Sequence, residues 1–465
     1  MRIEPLIEEL TPPDPWATAR RLAHLPHLLF LDSAGGLPGL ARYSYLTADP
    51  FCWLQFRGVE GINPFEALRD QLSHWKLPTV PGLPPFQGGA AGLFGYDLCH
   101  WIERLPRPQF DEFQAPDLAI GLYDWVIAWD HQANRAWIIS TGFPEMNPTK
   151  RRERARKRIS LLAESETDRV HIATTPRQPV RISSLHALPG FEGVFSNFDR
   201  FGFEAAVRRA IDYTHAGDCF QINLAQRLVT PQTESAIELY QRLREVNAAP
   251  FASYFDLGEF QIASASPERF VQLSSGGQVE ARPIKGTRPR GRNPEQDQAN
   301  IAELLASDKD RSENVMIVDL LRNDLGRVCE YGSVTVPAVC RLETYPTVHH
   351  LVSEVRGRLR AGLTAIDLLK AAFPGGSVTG APKVRAMEII AELEPHARGP
   401  YCGSIGWIGF DGAMDTSILI RTFTAGGGWF QFPVGGGIVA DSTPEAEYKE
   451  TLHKAEGLLR ALKAK

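Results

Sequence analysis

Two pairs of carboxylates stand three residues apart in this 465-residue chain, Asp310 with Glu313 and Glu447 with Glu450. At that spacing on a helix both side chains share one face, about 5–6 Å apart. Two such faces brought together offer oxygen ligands to a hard cation that keeps several waters; each pair alone reads as a solvated helix face. Gly435, Gly436 and Gly437 lie shortly before the second pair. They either turn the chain at a strand end or let backbone N–H groups approach an anion. In ARPIKGTRPRGR (281–292), Lys285 follows a β-type run and precedes Gly286, so its amine can leave a strand end as a nucleophile. Its basic neighbours read as a solvated loop. Glu268, in SPERF, ends another strand run and is placed to act as an acid. Of His349 and His350, one is expected to be a satisfied core histidine. GGSVTGAPK (375–383), Gly-rich ahead of a helical VRAMEIIAEL, suits anion binding at a helix N-terminus.

The elements around these residues are legible. SDKDRSENVMIVDLLRND reads as a helix ending at Gly326 and carries the first acidic pair. The last helix is expected to start with a capping box from Ser442 and Glu445 and with Pro444 in its first turn. Leu452, Ala455, Leu459 and Leu462 form its buried stripe, with the Glu447–Glu450 pair off that stripe. CFQINLAQRLV (219–229) reads as a strand, and residues 251–284 alternate strand runs with turn dipeptides. GSIGWIGF, Asp411-Gly412 and TSILIRTFTA (416–425) predict a hairpin, followed by a turn at Gly426–Gly428 and a strand WFQFPV. Nearer the start, YDWVIAWD and RAWIIST flank a turn at His131–Asn134. Strands joined by tight turns pair antiparallel, so the fold class is α+β rather than a doubly wound parallel sheet. A polar, Pro-containing stretch separates an N-terminal region, 1–165, from a C-terminal region, 195–465.

Composition narrows the function classes. Hydrophobic residues are 43%, charged residues 23% and the net charge is -5, which is globular and unsuited to coating nucleic acid. The basic run KRRERARKR (150–158) has no interleaved aromatics and reads as a solvated helix face, not an RNA-binding helix. No apolar run is long enough to span a membrane, and the acidic start MRIEPLIEEL is unlike a signal peptide. Six cysteines without a CxxC pair predict buried, reduced thiols in a cytoplasmic protein.

Eight blocks, GDCFQINLAQR, SPERF, ARPIKGTRPRG, DRSENVMIVDLLRNDLGR, HHLVSEVRG, GGSVTGAPKVRAMEII, MDTSILIRT and GGGIVADSTPEAEYKET, occur in one order over about residues 200–460. Together they resemble the chorismate-utilising enzymes. FLDSAG, RYSYLTADP and GGAAGLFGYD resemble the N-terminal part of the amine-forming members. The resemblance implies a body of two large packed antiparallel sheets with outer helices, the N-terminal region adding strands to it. It implies Mg²⁺ held by Glu313 and Glu450, with Asp310 and Glu447 supporting through water. It places Gly435, Gly436 and Gly437, with Tyr401 and Arg421, on the enolpyruvyl carboxylate. Ser377 or Thr379, with Lys454, would lie near the ring carboxylate, His350 beside the ring, and Glu268 at the leaving 4-hydroxyl.

Gln221 stands where the water-adding members carry a lysine, and Gln cannot activate water. PIKGT stands where anthranilate synthases usually read PIAGT, and this lysine, Lys285, marks the members that aminate carbon 4 of chorismate. LDS at 31–33 departs from the LES of tryptophan-inhibited relatives, which makes tryptophan control doubtful. No cysteine lies in a Gly-x-Cys-x-Gly elbow, so ammonia is expected from a separate glutamine amidotransferase subunit. The alternatives are amination ortho to the carboxylate, as in anthranilate synthase component I, and a non-catalytic subunit that binds the amidotransferase.

Overall fold

The structure is a computed structural model that describes residues 4–34, 40–59, 61–164, 179–345 and 348–463. Among these, a twelve-stranded and a ten-stranded sheet form the body, with a three-stranded sheet beside them. Strand pairing within them is antiparallel, as the turn chemistry predicts. Both large sheets interleave early and late strands. Leu29–Asp32 pairs with Phe251–Asp256 in one, and Gly89–Phe94 pairs with Ser404–Gly409 in the other.

Consecutive residues of these strands face opposite sides. Leu29, Val126 and Ala128 of the larger sheet meet Leu93, Ala119, Ile405 and Trp407 of the smaller between the two sheets. Phe30, Trp125 and Ile127 instead turn outward against Leu239, Tyr240, Leu243 and Leu458 of outer helices. On the far side, Phe94 and Ile120 pack against Ile317, Leu321 and Leu368 of other helices. Burial on both faces explains why WVIAWD is a nearly continuous apolar run rather than an alternating one.

The predicted turn at His131–Asn134 forms between Trp125–Asp130 and Arg135–Ser140. The basic run lies on the helix Pro148–Glu164, but not all of it is solvated. Arg154 and Arg158, four residues apart, turn inward to the buried Asp124, and Arg158 also bonds Asp49. The predicted long strand 416–425 is two strands. Met414–Ile418 belongs to the ten-stranded sheet and Thr422–Gly426 to the twelve-stranded one. The chain changes sheet at Leu419–Arg421, where Arg421 takes a φ of 52°, a region non-glycine residues seldom adopt. The neighbouring chain changes sheet in the same way between Gln261–Ser266 and Arg269–Leu273, across Pro267 and Glu268. The two crossings are stitched together by Ile418 N–H to Glu268 O at 3.1 Å and Ala265 N–H to Arg421 O at 3.0 Å.

No helix among the described residues is long and apolar enough to cross a membrane. All six cysteines are free, and five are buried.

Candidate active site

The sheet crossings bring Glu268 and Arg421 together. Glu268 is buried, and its Oε1 accepts from Ser377 Oγ at 2.8 Å. Burial pushes the Glu268 carboxyl up to about 7, against the opposing pull of the Ser377 bond and of Lys285, Arg421 and Lys454. A carboxyl in that range is still protonated near neutrality and can give a proton to a leaving group.

Ser377 reaches Glu268 because the Gly-rich segment does not simply feed a helix. It forms a short turn Gly376–Val378, then Gly380–Ala381 pairs with the Gln221–Gln226 strand. The other edge of that strand pairs with Val434–Ile438. The glycine run is therefore a strand, not the strand-end loop its composition indicated. Side chains have little room there. A methyl on Gly437 would sit 2.8 Å from Gln221 Cδ, and one on Gly436 would sit 3.3 Å from both Glu447 Oε2 and Glu450 Oε1.

Both acidic pairs lie on helices, as predicted. Asp310 and Glu313 occupy the first turns of Asp308–Gly326, whose Ile317, Leu321 and Leu325 anchor it to the core. Glu447 and Glu450 lie on Pro444–Lys463. This helix begins without the expected Ser442–Glu445 box. Ser442 Oγ instead donates to Glu447 Oε1 at 2.6 Å, while Glu445 pairs with Lys449. The stripe of Ala455 and Leu459 is buried, but Glu447, at 3% exposure, is buried too. Burial and the charge of Glu450 raise the Glu447 pKa. Glu450, against its own burial, is held below the usual carboxylate range by Lys454, Lys309 and Lys285.

Lys285 lies on Ile284–Pro289 at the border of the ten-stranded sheet, with Nζ 3.6 Å from Glu313 Oε2. Arg288 on the same strand pairs with Asp310 at 3.4 Å. Gly286 lets this strand press on the acidic helix. Its φ is 73°, and a methyl there would fall 2.9 Å from Asp310 Cβ. Lys454 Nζ bridges Glu450, at 2.7 Å, and Gly435 O, at 3.0 Å. His350 bonds Thr287 Oγ1 at 2.8 Å, and burial and Arg421 depress its pKa to about 4, so the ring is neutral. His349 faces the other way and is satisfied by Thr344 and Asp297.

Two expected residues stand apart from this cluster. Thr379 is fully buried, with its hydroxyl donating to Gly375 O at 3.0 Å. Tyr401 is buried beside Arg398, whose guanidinium lies 5.8 Å from its ring centre. Gln221 has no exposed surface, and both of its amide heteroatoms are buried without hydrogen-bond partners. Such an amide invites a ligand.

Three contributions were not anticipated from the sequence. Lys309 sits between the two acidic helices, 4.0 Å from Glu313 and 3.9 Å from Glu447; its place four residues before Glu313 was the available signal. Lys383 donates to Asp324 at 2.7 Å and so ties the Gly-rich segment to the acidic helix. Arg398 pairs with Glu394 and donates to Val378 O and Asn223 O at 2.9 and 2.8 Å, clamping two of the site's strands and turns. No spacing in the sequence reveals the Lys383–Asp324 pair, whereas Arg398 stands four residues after Glu394. Among the described residues no three carboxylate, histidine or cysteine side chains converge as metal ligands. Even so, the facing donors are all carboxylate oxygens, and Glu447 Oε2 is buried without a partner above Gly436, which suits a hard cation.

Two interleaved antiparallel sheets, with acids and amines gathered where strands cross between them, define an enzyme for a small anionic substrate. The chorismate binding enzyme family matches residues 41–460, and the chain belongs to that family. Aminodeoxychorismate synthase component 1 of Klebsiella aerogenes is 45% identical over 456 residues, covering 95% of each chain. Anthranilate synthase component 1 of Thermus thermophilus is 41% identical, covering 91% of this chain and 87% of its own. Among solved structures, anthranilate synthase component I from Streptococcus pneumoniae superposes with a TM-score of 0.76 at 32% identity, covering 91% of this chain and 93% of its own.

Proposed function

We propose that the chain is the chorismate-aminating component of an aminodeoxychorismate synthase. It joins chorismate and ammonia to 4-amino-4-deoxychorismate and water, a step toward p-aminobenzoate and folate. A separate glutamine amidotransferase subunit supplies the ammonia, in keeping with the "component 1" name of the relatives. The observation that carries this reading is Lys285: it is the residue that separates carbon-4 amination from the alternatives, and it lies beside Glu313 and in the field of Glu268.

The roles follow from the chemistry of the residues. Chorismate is a dianion, and Arg421, Lys454 and the glycine strand gather positive charge and backbone donors to hold its carboxylates out of water. Glu313 and Glu450, with Asp310 and Glu447 behind them, would hold a Mg²⁺ ion, which would supply a further positive charge for the ring carboxylate. Glu268 gives its proton to the 4-hydroxyl, which leaves as water. As the C4–O bond breaks, Lys285, reacting as the neutral amine, forms a bond to carbon 2, and the proton it sheds returns to the Glu268 carboxylate. Ammonia then bonds to carbon 4, the Lys285–carbon bond breaks, and the proton lost by the incoming ammonia restores the lysine amine. Gln221, unable to serve as a base, leaves water unactivated, and its open amide is free to bond the substrate.

The test is product identity. The full chain with chorismate, Mg²⁺ and ammonium is expected to give a product that gains an amine and keeps its enolpyruvyl group by mass spectrometry. Fluorescent anthranilate with released pyruvate would overturn the regiochemistry. A chorismate-derived mass adduct on Lys285 under single-turnover conditions is expected. Its absence would reduce Lys285 to a group that shields carbon 2 while ammonia attacks directly.

A further inference from the structure

We infer that Lys309 is a built-in counter-ion that holds the two acidic helices together when no divalent cation is bound and gives way when one binds. This rests on the metal role given above to the four carboxylates. Lys309 lies in the first turn of Asp308–Gly326. Its Nζ is 4.0 Å from Glu313 Oε1 on its own helix and 3.9 Å from Glu447 Oε1 on the C-terminal helix. Among the described residues it is the one cation paired with carboxylates of both helices. Lys285 pairs with Glu313, Arg288 with Asp310, and Lys454 with Glu450.

The cations differ in what holds them. Lys454 is also bonded to Gly435 O, Arg288 to Glu303 and to Thr287 O, and the Lys285 side chain is only 14% exposed. The Lys309 side chain is 54% exposed, so it can swing into water, where an ammonium is well solvated. Glu447 cannot move in the same way. It is buried, Ser442 fixes one oxygen, and the other, without a partner, faces the space above Gly436 that it shares with Glu450. Bringing carboxylates of two helices this close without a cation would be repulsive. Lys309 therefore stabilises the metal-free arrangement and competes with the ion for it.

The test is Mn²⁺ binding to the full chain without chorismate, read by electron paramagnetic resonance of the free ion, for wild type, Lys309→Met and Lys309→Arg. Two exposed-type ion pairs are lost in Lys309→Met, so Mn²⁺ is expected to bind about 3–10-fold more tightly. Lys309→Arg, which keeps the charge, is expected to stay close to wild type. The metal-free melting temperature of Lys309→Met is expected to fall, and saturating Mg²⁺ to restore it. Unchanged or weaker Mn²⁺ binding by Lys309→Met, or equal tightening by Lys309→Arg, would overturn the inference alone. No Mn²⁺ uptake by any of the three, even with chorismate added, would sink the metal reading itself and this inference with it.

Discussion

At the residue scale, Glu268 sets the pH behaviour. Its folded value of about 7 lies above the ordinary 4.5, so between those limits the native state keeps a proton that the unfolded chain has lost. Stability therefore falls as pH rises through that window, and Glu268→Gln is expected to lessen the slope in urea titrations, the rest coming from groups such as Asp97, which burial also pushes up to about 7. In the proposed mechanism the same proton is the one delivered to the leaving hydroxyl. With free ammonia held constant, kcat/KM for chorismate is expected to decline above about pH 7. Glu268→Gln is expected to lower kcat/KM by about 10²–10⁴-fold below about pH 7, the gap narrowing as wild-type activity declines above it. Ser377 bonds the carboxylate at 2.8 Å and so favours its charged form. Ser377→Ala is expected to move the alkaline limb to higher pH. A limb that stays in place would show that Ser377 does not tune the acid.

At the scale of elements, the glycine strand Val434–Ile438 separates fold from function. A methyl at 437 meets the Gln221 amide carbon at 2.8 Å, with a fully buried side chain that has nowhere to go. Gly437→Ala is expected to cost about 1–3 kcal/mol by denaturant unfolding. A methyl at 436 meets only side-chain atoms, two carboxylate oxygens at 3.3 Å and Lys454 Nζ at 3.7 Å. Gly436→Ala is expected to fold with little loss of stability but to bind chorismate and Mg²⁺ more weakly by calorimetry. Equal effects of the two substitutions on stability would contradict this division. The buried Arg398–Glu394 pair serves the neighbouring turn. Arg398→Met leaves Glu394 buried without its partner and is expected to cost about 3–5 kcal/mol, read as a lower urea midpoint at unchanged slope.

At the scale of the whole molecule, strands from both regions interleave in each large sheet, so the chain is expected to unfold as one body. Leu29–Asp32 is flanked in its sheet by Tyr43–Thr47 and Phe251–Asp256, and Gly89–Phe94 by Leu118–Tyr123 and Ser404–Gly409. Residues 1–165 and 195–465 made as separate polypeptides would each expose long strand edges that the other covers. Neither is expected to show cooperative unfolding by circular dichroism alone, while the full chain shows a single transition. Two independent transitions in the full chain would contradict it. The inward-facing Arg154 and Arg158 bind the Pro148–Glu164 helix to Asp124 in the same body.

Taken alone, the sequence determined the antiparallel strands, the two acidic helices, the turn at His131–Asn134 and the set of residue types that chorismate chemistry needs. Those signals are local: turn dipeptides, helical spacing and short motif blocks are written within a few residues of one another. Tertiary structure decided where they meet. The alternation of TSILIRTFTA fits one strand as well as two, and only packing against both sheets breaks it at Arg421. Glycine carries no hydrophobic pattern, so Gly435–Gly437 reads as a turn or an anion cradle in the sequence, and only pairing with the Gln221–Gln226 strand makes it a strand. Lys383 and Asp324 lie 59 residues apart, and Ser377 and Glu268 lie 109 apart. No periodicity links such positions. Ser377 and Glu268 meet where two strands change sheets side by side, and burial there gives Glu268 its raised pKa.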